Sequence, residues 1–222
     1  MAEKQVKSKQ RVADHGEVFT AEREVNAMCD LVESESYRID SRFLEPACGD
    51  GNFLTEVLRR KLVTVKKKYG GARMHSDYEM WSIIAIMNVY GVELLPDNAA
   101  DCRERLYNIW NDAYRENCKS DTRDECREAV RFILRRNILC GDALTMKQEN
   151  GDPIIFAEWS FITGTKVKRR DYRLDELLEG HKEEQMSIFM SGWEYDEEVG
   201  GLIPLPIREY PPTDYWRVQQ YE

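Results

Sequence analysis

Histidine is scarce in this 222-residue chain, which has three histidines, placed far apart. Six cysteines are present, but none form a Cys-x-x-Cys pair, so the spacing of a zinc site is missing. No apolar run approaches the ~20 residues that cross a membrane, and residues 1–10 are charged throughout, unlike a secretory signal. We therefore expect a cytoplasmic protein with free thiols, no metal site and no membrane segment.

An excess of positive charge is also missing. The formal net charge is −9, whereas proteins that bind DNA alone are usually basic, because neutralising phosphates dominates non-specific affinity. The composition argues against autonomous DNA binding and leaves open a role beside a basic partner. Two basic clusters stand out, at residues 66–68 and 166–170. For the first we favour a solvated helix face; for the second, solvation and contact with DNA phosphates both stay open.

Helical and extended patterns alternate along the first 162 residues. Apolar spacing predicts helices over residues 20–32, 52–69 and 78–87, and two more that begin near residues 97 and 120. Strands are predicted at residues 42–46, 89–94, 137–142 and 153–157. We predict a loose N-terminal arm over residues 1–15 and one α/β domain over residues 16–162, with a largely parallel sheet flanked by helices.

The alternation stops after residue 162. Residues 163–222 are polar, acidic and interrupted by four prolines, which predicts an extended, non-helical tail. Aromatic residues are frequent anchors of protein interfaces. We expect the tail to bind a partner protein through Trp193, Tyr210, Tyr215 and Trp216.

Acidic residues and glycines follow three of the predicted strands. Glu45, Glu93 and Asp142 fall at strand ends, and Gly49 and Gly51 form a Gly-x-Gly turn after the first strand. Ligands of parallel sheets bind beyond the carboxyl ends of the strands, and glycine lets the backbone approach them. Leucine stands where the dinucleotide fingerprint needs its third glycine, which argues against a nicotinamide or flavin site. A carboxylate just before the turn suits a cationic ligand.

The run Glu45-Pro46-Ala47-Cys48-Gly49-Asp50-Gly51-Asn52-Phe53-Leu54 resembles the first motif of class I S-adenosylmethionine-dependent methyltransferases. More narrowly, it is similar to the adenine-N6 DNA methyltransferases of restriction–modification systems. The segment His15–Thr20 resembles a second family segment that lies against the cofactor, with Ala21 in place of its proline. The resemblance implies a Rossmann-like methyltransferase fold and S-adenosylmethionine as cofactor.

The same resemblance implies roles for individual residues. It matches Glu93 to the acid that accepts hydrogen bonds from both ribose hydroxyls of the cofactor, and Asp142 to the acid that reads its adenine amino group. The other implied cofactor contacts are Phe19, Thr20, Glu45, Ala47, Gly49, Asp50, Gly51, Asn52, Phe53, Leu94 and Ala143. We interpret Cys48 as a small residue that fills the tight turn.

One motif of the family is missing. Its fourth strand ends in Asn/Asp-Pro-Pro-Tyr/Phe, which holds the target amino group and stacks on the flipped-out base. Here the fourth predicted strand continues Ala157-Glu158-Trp159-Ser160-Phe161. Glu158 could accept a proton and Trp159 or Phe161 could stack, but no residue is assigned as catalytic. The predicted sheet also has fewer strands than the family's full sheet.

Three hypotheses follow. The first is a split enzyme, in which this chain binds S-adenosylmethionine and a second subunit supplies Asn-Pro-Pro-Tyr, the remaining strands and DNA recognition. The second is a self-sufficient methyltransferase that acts on a small molecule or a protein. The third is a catalytically inactive methyltransferase-fold scaffold. A neighbouring gene that encodes Asn-Pro-Pro-Tyr would favour the first.

Overall fold

The computed structural model describes residues 6–71, 73–179, 193–196 and 201–221. Its helices are α1 Lys9–His15, α2 Glu22–Leu31, α3 Glu33–Ser36, α4 Asn52–Tyr69, α5 His75–Met87, α6 Pro96–Cys118, α7 Asp124–Asn137 and α8 Leu174–Glu179. Its strands are β1 Phe43–Glu45, β2 Val89–Glu93, β3 Ile138–Cys140, β4 Ile155–Thr163, β5 Lys166–Arg173, β6 Trp193–Asp196, β7 Gly201–Pro204, β8 Arg208–Glu209 and β9 Thr213–Asp214. Short 3₁₀ helices span Lys119–Asp121 and Tyr215–Gln220.

The first three strands form a parallel sheet in the order β1-β2-β3. Helices α4 and α5 connect β1 to β2, and α6 and α7 connect β2 to β3. The central strand β2 is buried along its whole length, as expected for a parallel strand covered on both faces. The prediction of a mixed α/β fold with a parallel sheet flanked by helices is confirmed for these three strands. We call the edge where they end the carboxyl rim and the edge where they begin the amino edge.

The fourth predicted strand does not join this sheet. β4 pairs antiparallel with β5, from Ile155 opposite Arg173 to Thr163 opposite Lys166. A turn at Gly164, with φ of +59°, reverses the chain between them. The predicted fourth strand exists as β4, but the expectation that it belongs to the largely parallel sheet is wrong. It continues into a tight turn and pairs with the next strand, without a crossover helix.

The direction of β4 decides where its side chains lie. At its start, Ile154 approaches Gly141 just beyond the end of β3. Further along, Glu158 forms an ion pair with Arg42, which precedes β1 (2.5 Å). Next to it, the Trp159 indole N–H donates to Asn137 Oδ1, just before β3 (2.9 Å). β4 therefore runs from the carboxyl rim to the amino edge, opposite to the parallel strands.

The described part of residues 163–222 is mostly extended chain, but it contains α8 and a 3₁₀ helix, and its strands join the rest of the structure instead of forming a free tail. β8 and β9 pair with β5, and the 3₁₀ helix Tyr215–Gln220 packs on α7. Tyr210 and Tyr215 are buried within the chain, so neither is available as an interface anchor, and Trp216 lies under the Arg123 guanidinium. Trp193 lies in β6, with its side chain outside the described structure. No strand was predicted at β5, because charged residues occupy several of its buried positions and remove the apolar alternation from the sequence.

The predicted loose arm contains α1. The Ser8 hydroxyl caps the helix by accepting from the Arg11 backbone N–H (3.1 Å), and the helix ends at Gly16, with φ of +66°. Lys7 and Arg11 form ion pairs with Asp97 at the start of α6 (3.1 and 2.6 Å). These tertiary contacts, which leave no apolar periodicity in the sequence, dock the segment on the domain.

Within the described residues, none of the helices combines the length and apolar composition needed to span a membrane. All six cysteines are unpaired. The same part of the chain holds no group of three histidine, cysteine or acidic side chains that could bind a metal ion.

A buried lysine supports the loop before β1. The side chain of Lys61, on α4, is fully buried, and its ammonium donates to the backbone carbonyls of Arg38 (3.1 Å), Ile39 (3.0 Å) and Ser41. Burial lowers the pKa of Lys61 from 10.5 to about 7, because a low-dielectric interior disfavours the charged form. The loop that leads into β1 thus depends on an amine that titrates near neutrality.

This arrangement predicts how stability depends on pH. Between pH 7 and 10.5 the unfolded chain holds one more proton at Lys61 than the folded chain, so Lys61 makes the free energy of unfolding rise with pH. The rise is at most about 1.4 kcal/mol per pH unit. We expect the difference in unfolding free energy between wild type and Lys61→Met, measured in urea, to grow between pH 7.5 and 10.

The matched control is Lys67→Met, which replaces an exposed lysine of the same helix. Its difference from wild type should stay constant over this pH range. A constant difference for Lys61→Met as well would mean that the three carbonyls keep the buried ammonium charged, and the prediction would be wrong.

Candidate functional site

Three carboxylates border the carboxyl rim. Glu45 ends β1, Glu93 ends β2, and Asp142 follows β3. The two later strand ends are tied together by the Gly141 N–H, which donates to the Glu93 backbone carbonyl (2.9 Å). The parallel sheet therefore brings together the acids that the sequence analysis grouped at strand ends.

A glycine turn crosses the rim between β1 and α4. Gly49 and Gly51 have φ of +54° and +91°, in the left-handed region that favours glycine. The Cys48 N–H donates to the Val92 carbonyl of β2 (3.0 Å), and the Gly51 N–H donates back to the Cys48 carbonyl (2.8 Å). Helix α4 then begins at Asn52, so backbone N–H groups gather at this point of the rim.

Glu93 holds the turn in place. Its Oε2 accepts from the Gly49 N–H (2.9 Å), and its Oε1 accepts from the Leu95 N–H (3.0 Å) and from Asn98 Nδ2 (3.3 Å). Only 7% of Glu93 is exposed. The carboxylate that the resemblance assigns to the ribose thus already accepts three hydrogen bonds within the chain.

Helix α6 supports the turn from the other side. Arg105 donates to the Asp50 carbonyl (2.8 Å), pairs with the Asp50 carboxylate (2.7 Å) and donates to Asn52 Oδ1 (2.8 Å). The Cys102 side chain lies directly below Gly51. A hydrogen bond with the Cys102 thiol, together with burial, raises the pKa of Cys48 far above its usual range. Cys48 is thus a neutral thiol that packs in the turn.

The N-terminal segment covers the turn. The Phe19 ring lies against Gly49, 3.3 Å from where a Cβ would stand, and Asn52 Nδ2 donates to the Thr20 carbonyl (2.9 Å). Glu17 pairs with Arg11 and accepts from Asn98 Nδ2 (2.9 Å). The structure therefore places Phe19 and Thr20 beside the turn, and their contact with a cofactor stays a prediction.

Glu45 differs from the other acids of the rim. It is half-buried, and its carboxylate has no hydrogen-bond or ion-pair partner among the described residues. Burial raises the pKa of Glu45 above its usual value. A half-buried carboxylate without a cation is costly, and a cationic ligand beside the glycine turn would remove that cost.

Asp142 shapes the loop after β3. Its Oδ1 accepts from the Leu144 N–H (2.8 Å), and its Oδ2 accepts from the Thr145 hydroxyl (3.1 Å). Leu94, after β2, and Leu144 are exposed large apolar side chains at neighbouring strand ends, with Leu144 92% exposed. These side chains offer apolar surface beside a carboxylate.

The remaining predicted contacts are less closely joined to the turn. Ala47 is exposed on it, whereas the Phe53 ring packs near the Phe43 ring of β1 (6.2 Å between centroids). Ala143 is half-buried against the hydrophobic core. Phe53 and Ala143 thus have packing roles that need no ligand.

The two catalytic candidates lie at the amino edge. Both Glu158 oxygens are engaged, with Arg42 and with Arg170 (3.1 Å), and the Trp159 ring is buried against Arg169 and Asn137. Phe161 is exposed and stands next to Trp81 of α5. The structure therefore does not bring these side chains to the carboxyl rim, because β4 runs the other way.

The basic cluster of β5 is neutralised within the chain. Lys166 pairs with Asp214 (3.0 Å), Lys168 with Glu209 (2.8 Å), Arg169 with Asp171 (2.7 Å) and Arg170 with Glu158 (3.1 Å). Of the two alternatives left open for residues 166–170, these pairs weigh against contact with DNA phosphates.

Three residues of the site were missed from the sequence. Glu17 stands inside the segment His15–Thr20 but carries no signal of its own. Asn98 and Arg105 lie on one helix and reach the rim only because α6 packs beside the turn. Polar residues in an amphipathic helix are usually solvated, so their roles become visible only in three dimensions.

Searches against family models, curated proteins and solved structures found no match for this chain. The resemblance to the methyltransferases therefore stays an expectation from the motif.

The packing beneath the turn makes a substitution test possible. A Cβ at Gly51 would stand 2.7 Å from Cys102 Sγ, in a backbone conformation with φ of +91°. We expect Gly51→Ala to lower the unfolding free energy by about 2–4 kcal/mol, from backbone strain and overpacking together. Chemical denaturation checks this value.

Two further variants separate the causes. Gly151→Ala has a similar φ of +86° and open space around the new Cβ, so it should cost about 1 kcal/mol from strain alone. Adding Cys102→Ala to Gly51→Ala should recover the steric part of the loss and leave the strain. Equal losses for Gly51→Ala and Gly151→Ala would contradict the close contact with Cys102.

Proposed function

We propose that this chain is the S-adenosylmethionine-binding subunit of a split DNA adenine-N6 methyltransferase with a Rossmann-like fold. A second subunit supplies the Asn-Pro-Pro-Tyr motif and DNA recognition. The reaction transfers the sulfonium methyl group to the adenine amino nitrogen, and its rate rests mainly on positioning the two reactants. The observation that carries the proposal is the unpaired Glu45 carboxylate beside a glycine turn that Glu93 and Asp142 also border.

The chemistry of the rim fits this cofactor. S-adenosylmethionine is cationic at its sulfonium and ammonium groups, and its ribose and adenine add hydrogen-bond donors. The rim offers the Glu45 carboxylate and two buried acceptors without donors among the described residues, Asp50 Oδ1 and Asn98 Oδ1. Buried polar atoms normally have a partner, so both atoms favour a donor-rich ligand. When bound, the cofactor would supply the methyl group.

The positions of Glu158 and Trp159 support the need for a second subunit. The chemistry requires an acceptor for the amino protons and a surface that stacks on the extruded base. Glu158 and Trp159 are engaged at the amino edge, opposite the carboxyl rim. Within the described residues, the side chains that we assign to the carboxyl rim would contact S-adenosylmethionine, and we assign none of them to the target base.

The outer edge of β1 supports the same proposal. β1 pairs only with β2 in the described structure. Because the Phe43 N–H donates to the backbone carbonyl of Asn88, just before β2, the backbone of Leu44 faces the open side, and its side chain is 44% exposed. An unprotected edge invites another strand, and a partner strand parallel to β1 would end at the carboxyl rim next to Glu45.

A first experiment tests cofactor binding. Isothermal titration should detect S-adenosylmethionine binding to wild type and at least a tenfold loss in Asp142→Ala, because a hydrogen bond to a charged acceptor is worth about 1.5–3 kcal/mol. The matched control is Asp152→Ala, an exposed aspartate of the same loop, which should bind normally. Wild type that binds no cofactor, alone or with its genomic neighbour, would overturn the proposal.

A second experiment tests the role of Glu45. Only the carboxylate form attracts a cation, so affinity should rise with pH through the pKa of Glu45, which burial sets above 4.5. Glu45→Gln should weaken S-adenosylmethionine binding about tenfold near neutral pH and flatten this dependence. Titrations between pH 5 and 8 check both effects, and identical pH profiles for the two proteins would show that Glu45 does not face the cofactor's charge.

A third experiment tests the split enzyme. Methylation of adenine in DNA should require co-expression with the neighbouring gene product, and neither chain alone should be active. Leu44→Pro should reduce complex formation, because proline at an open edge removes a backbone donor. Leu144→Ala, at an exposed side chain outside the strands, should leave the complex intact.

The engaged side chains of the amino edge also favour a second candidate, a non-catalytic scaffold that binds the cofactor. It predicts normal titration results without DNA methylation in any combination with the neighbour. The co-expression assay separates the two candidates.

A further inference from the structure

Asn98 is the most deeply buried polar side chain beside Glu93. It lies in the first turn of α6, five residues after Glu93, and only 1% of it is exposed. No motif pointed to it. Its side chain nevertheless contacts Glu93 of the carboxyl rim and Glu17 of the N-terminal segment that covers the turn.

Two carboxylates determine how the Asn98 amide is oriented. Its Nδ2 donates to Glu17 Oε1 (2.9 Å) and to Glu93 Oε1 (3.3 Å). Ionised carboxylates only accept hydrogen bonds, so the NH₂ group, not the carbonyl, must face them. Glu17 in turn is held by Arg11, which also pairs with Asp97.

The other atom of the amide has no partner. Asn98 Oδ1 is buried and accepts no hydrogen bond from the described residues. The nearby Glu93 carboxylate offers about four acceptor positions, and three donors of the chain already use it. One position is left on Glu93, which is too few for two hydroxyl donors.

We propose that Asn98 Oδ1 accepts a hydrogen bond from one hydroxyl of the cofactor's sugar while Glu93 accepts from the other, and that Glu17 orients the amide for this task. This inference rests on the proposed function and deepens it. The resemblance implies that one carboxylate accepts hydrogen bonds from both hydroxyls. In our proposal the Glu93 carboxylate accepts from one hydroxyl and the Asn98 amide from the other. It also makes the N-terminal segment part of the sugar site.

The test compares ligands that differ by one hydroxyl. Titration of wild type with S-adenosylhomocysteine and with its 2′-deoxy and 3′-deoxy forms should give about a tenfold preference for each hydroxyl. Asn98→Ala should abolish the preference for one hydroxyl and keep the preference for the other. A purely structural role, or a bound water at Oδ1, would weaken all three ligands by the same factor and overturn the inference.

Glu17 variants keep the test decisive if Asn98→Ala does not fold. Glu17→Ala removes an acceptor that orients the amide and should reduce one hydroxyl preference about threefold, whereas Glu17→Gln keeps an acceptor and should preserve it. Unchanged preferences in Glu17→Ala would count against the inference.

Failure of this inference is distinguishable from failure of the proposed function. Wild type that binds all three ligands equally overturns the role of Asn98 and leaves cofactor binding intact. Wild type that binds none of them overturns both.

Discussion

The carboxylate of Glu93 is the point on which the rest of the site depends. It ends the central strand of the parallel sheet and accepts from Gly49 of the turn and Leu95 before α6. Through Asn98 it also reaches Glu17 of the N-terminal segment. A buried charge is stable only when such donors replace the water it has lost. One side chain therefore sets the positions of three elements that are distant in sequence.

The path of β4 separates two sets of side chains that the sequence places close together. β3 ends at the carboxyl rim, and within twenty residues the chain has crossed to the amino edge, where Glu158 and Trp159 are engaged by Arg42 and Asn137. The antiparallel hairpin with β5 keeps this direction, because its ladder extends over eight register pairs. In our proposal, the residues that bind the target base therefore come from a second subunit.

The 3₁₀ helix Tyr215–Gln220 packs against the helices of the domain. Buried Glu79 of α5 accepts hydrogen bonds from Tyr114 and Tyr215 and pairs with Arg123. The hydrogen bonds and the ion pair with Arg123 lower the pKa of Glu79, although burial alone would raise it. Tyr215 thereby ties the last turn of the chain to the helical layer. In the described part of residues 163–222, this buried acid adds to the strand pairing that joins β8 and β9 to β5.

The sequence by itself determined the local elements and the order of the rim acids. Apolar patterns predicted α4, α5 and β2, which bury most of their apolar residues, and also predicted β1 and β3, which are only partly buried. The glycine turn followed from residues that tolerate positive φ. Tertiary structure alone decided the direction of β4, the pairing of the β5 charges and the roles of Asn98 and Arg105. These depend on contacts between distant residues, whose free energy arises from burial and charge pairing and leaves no periodic trace in the chain.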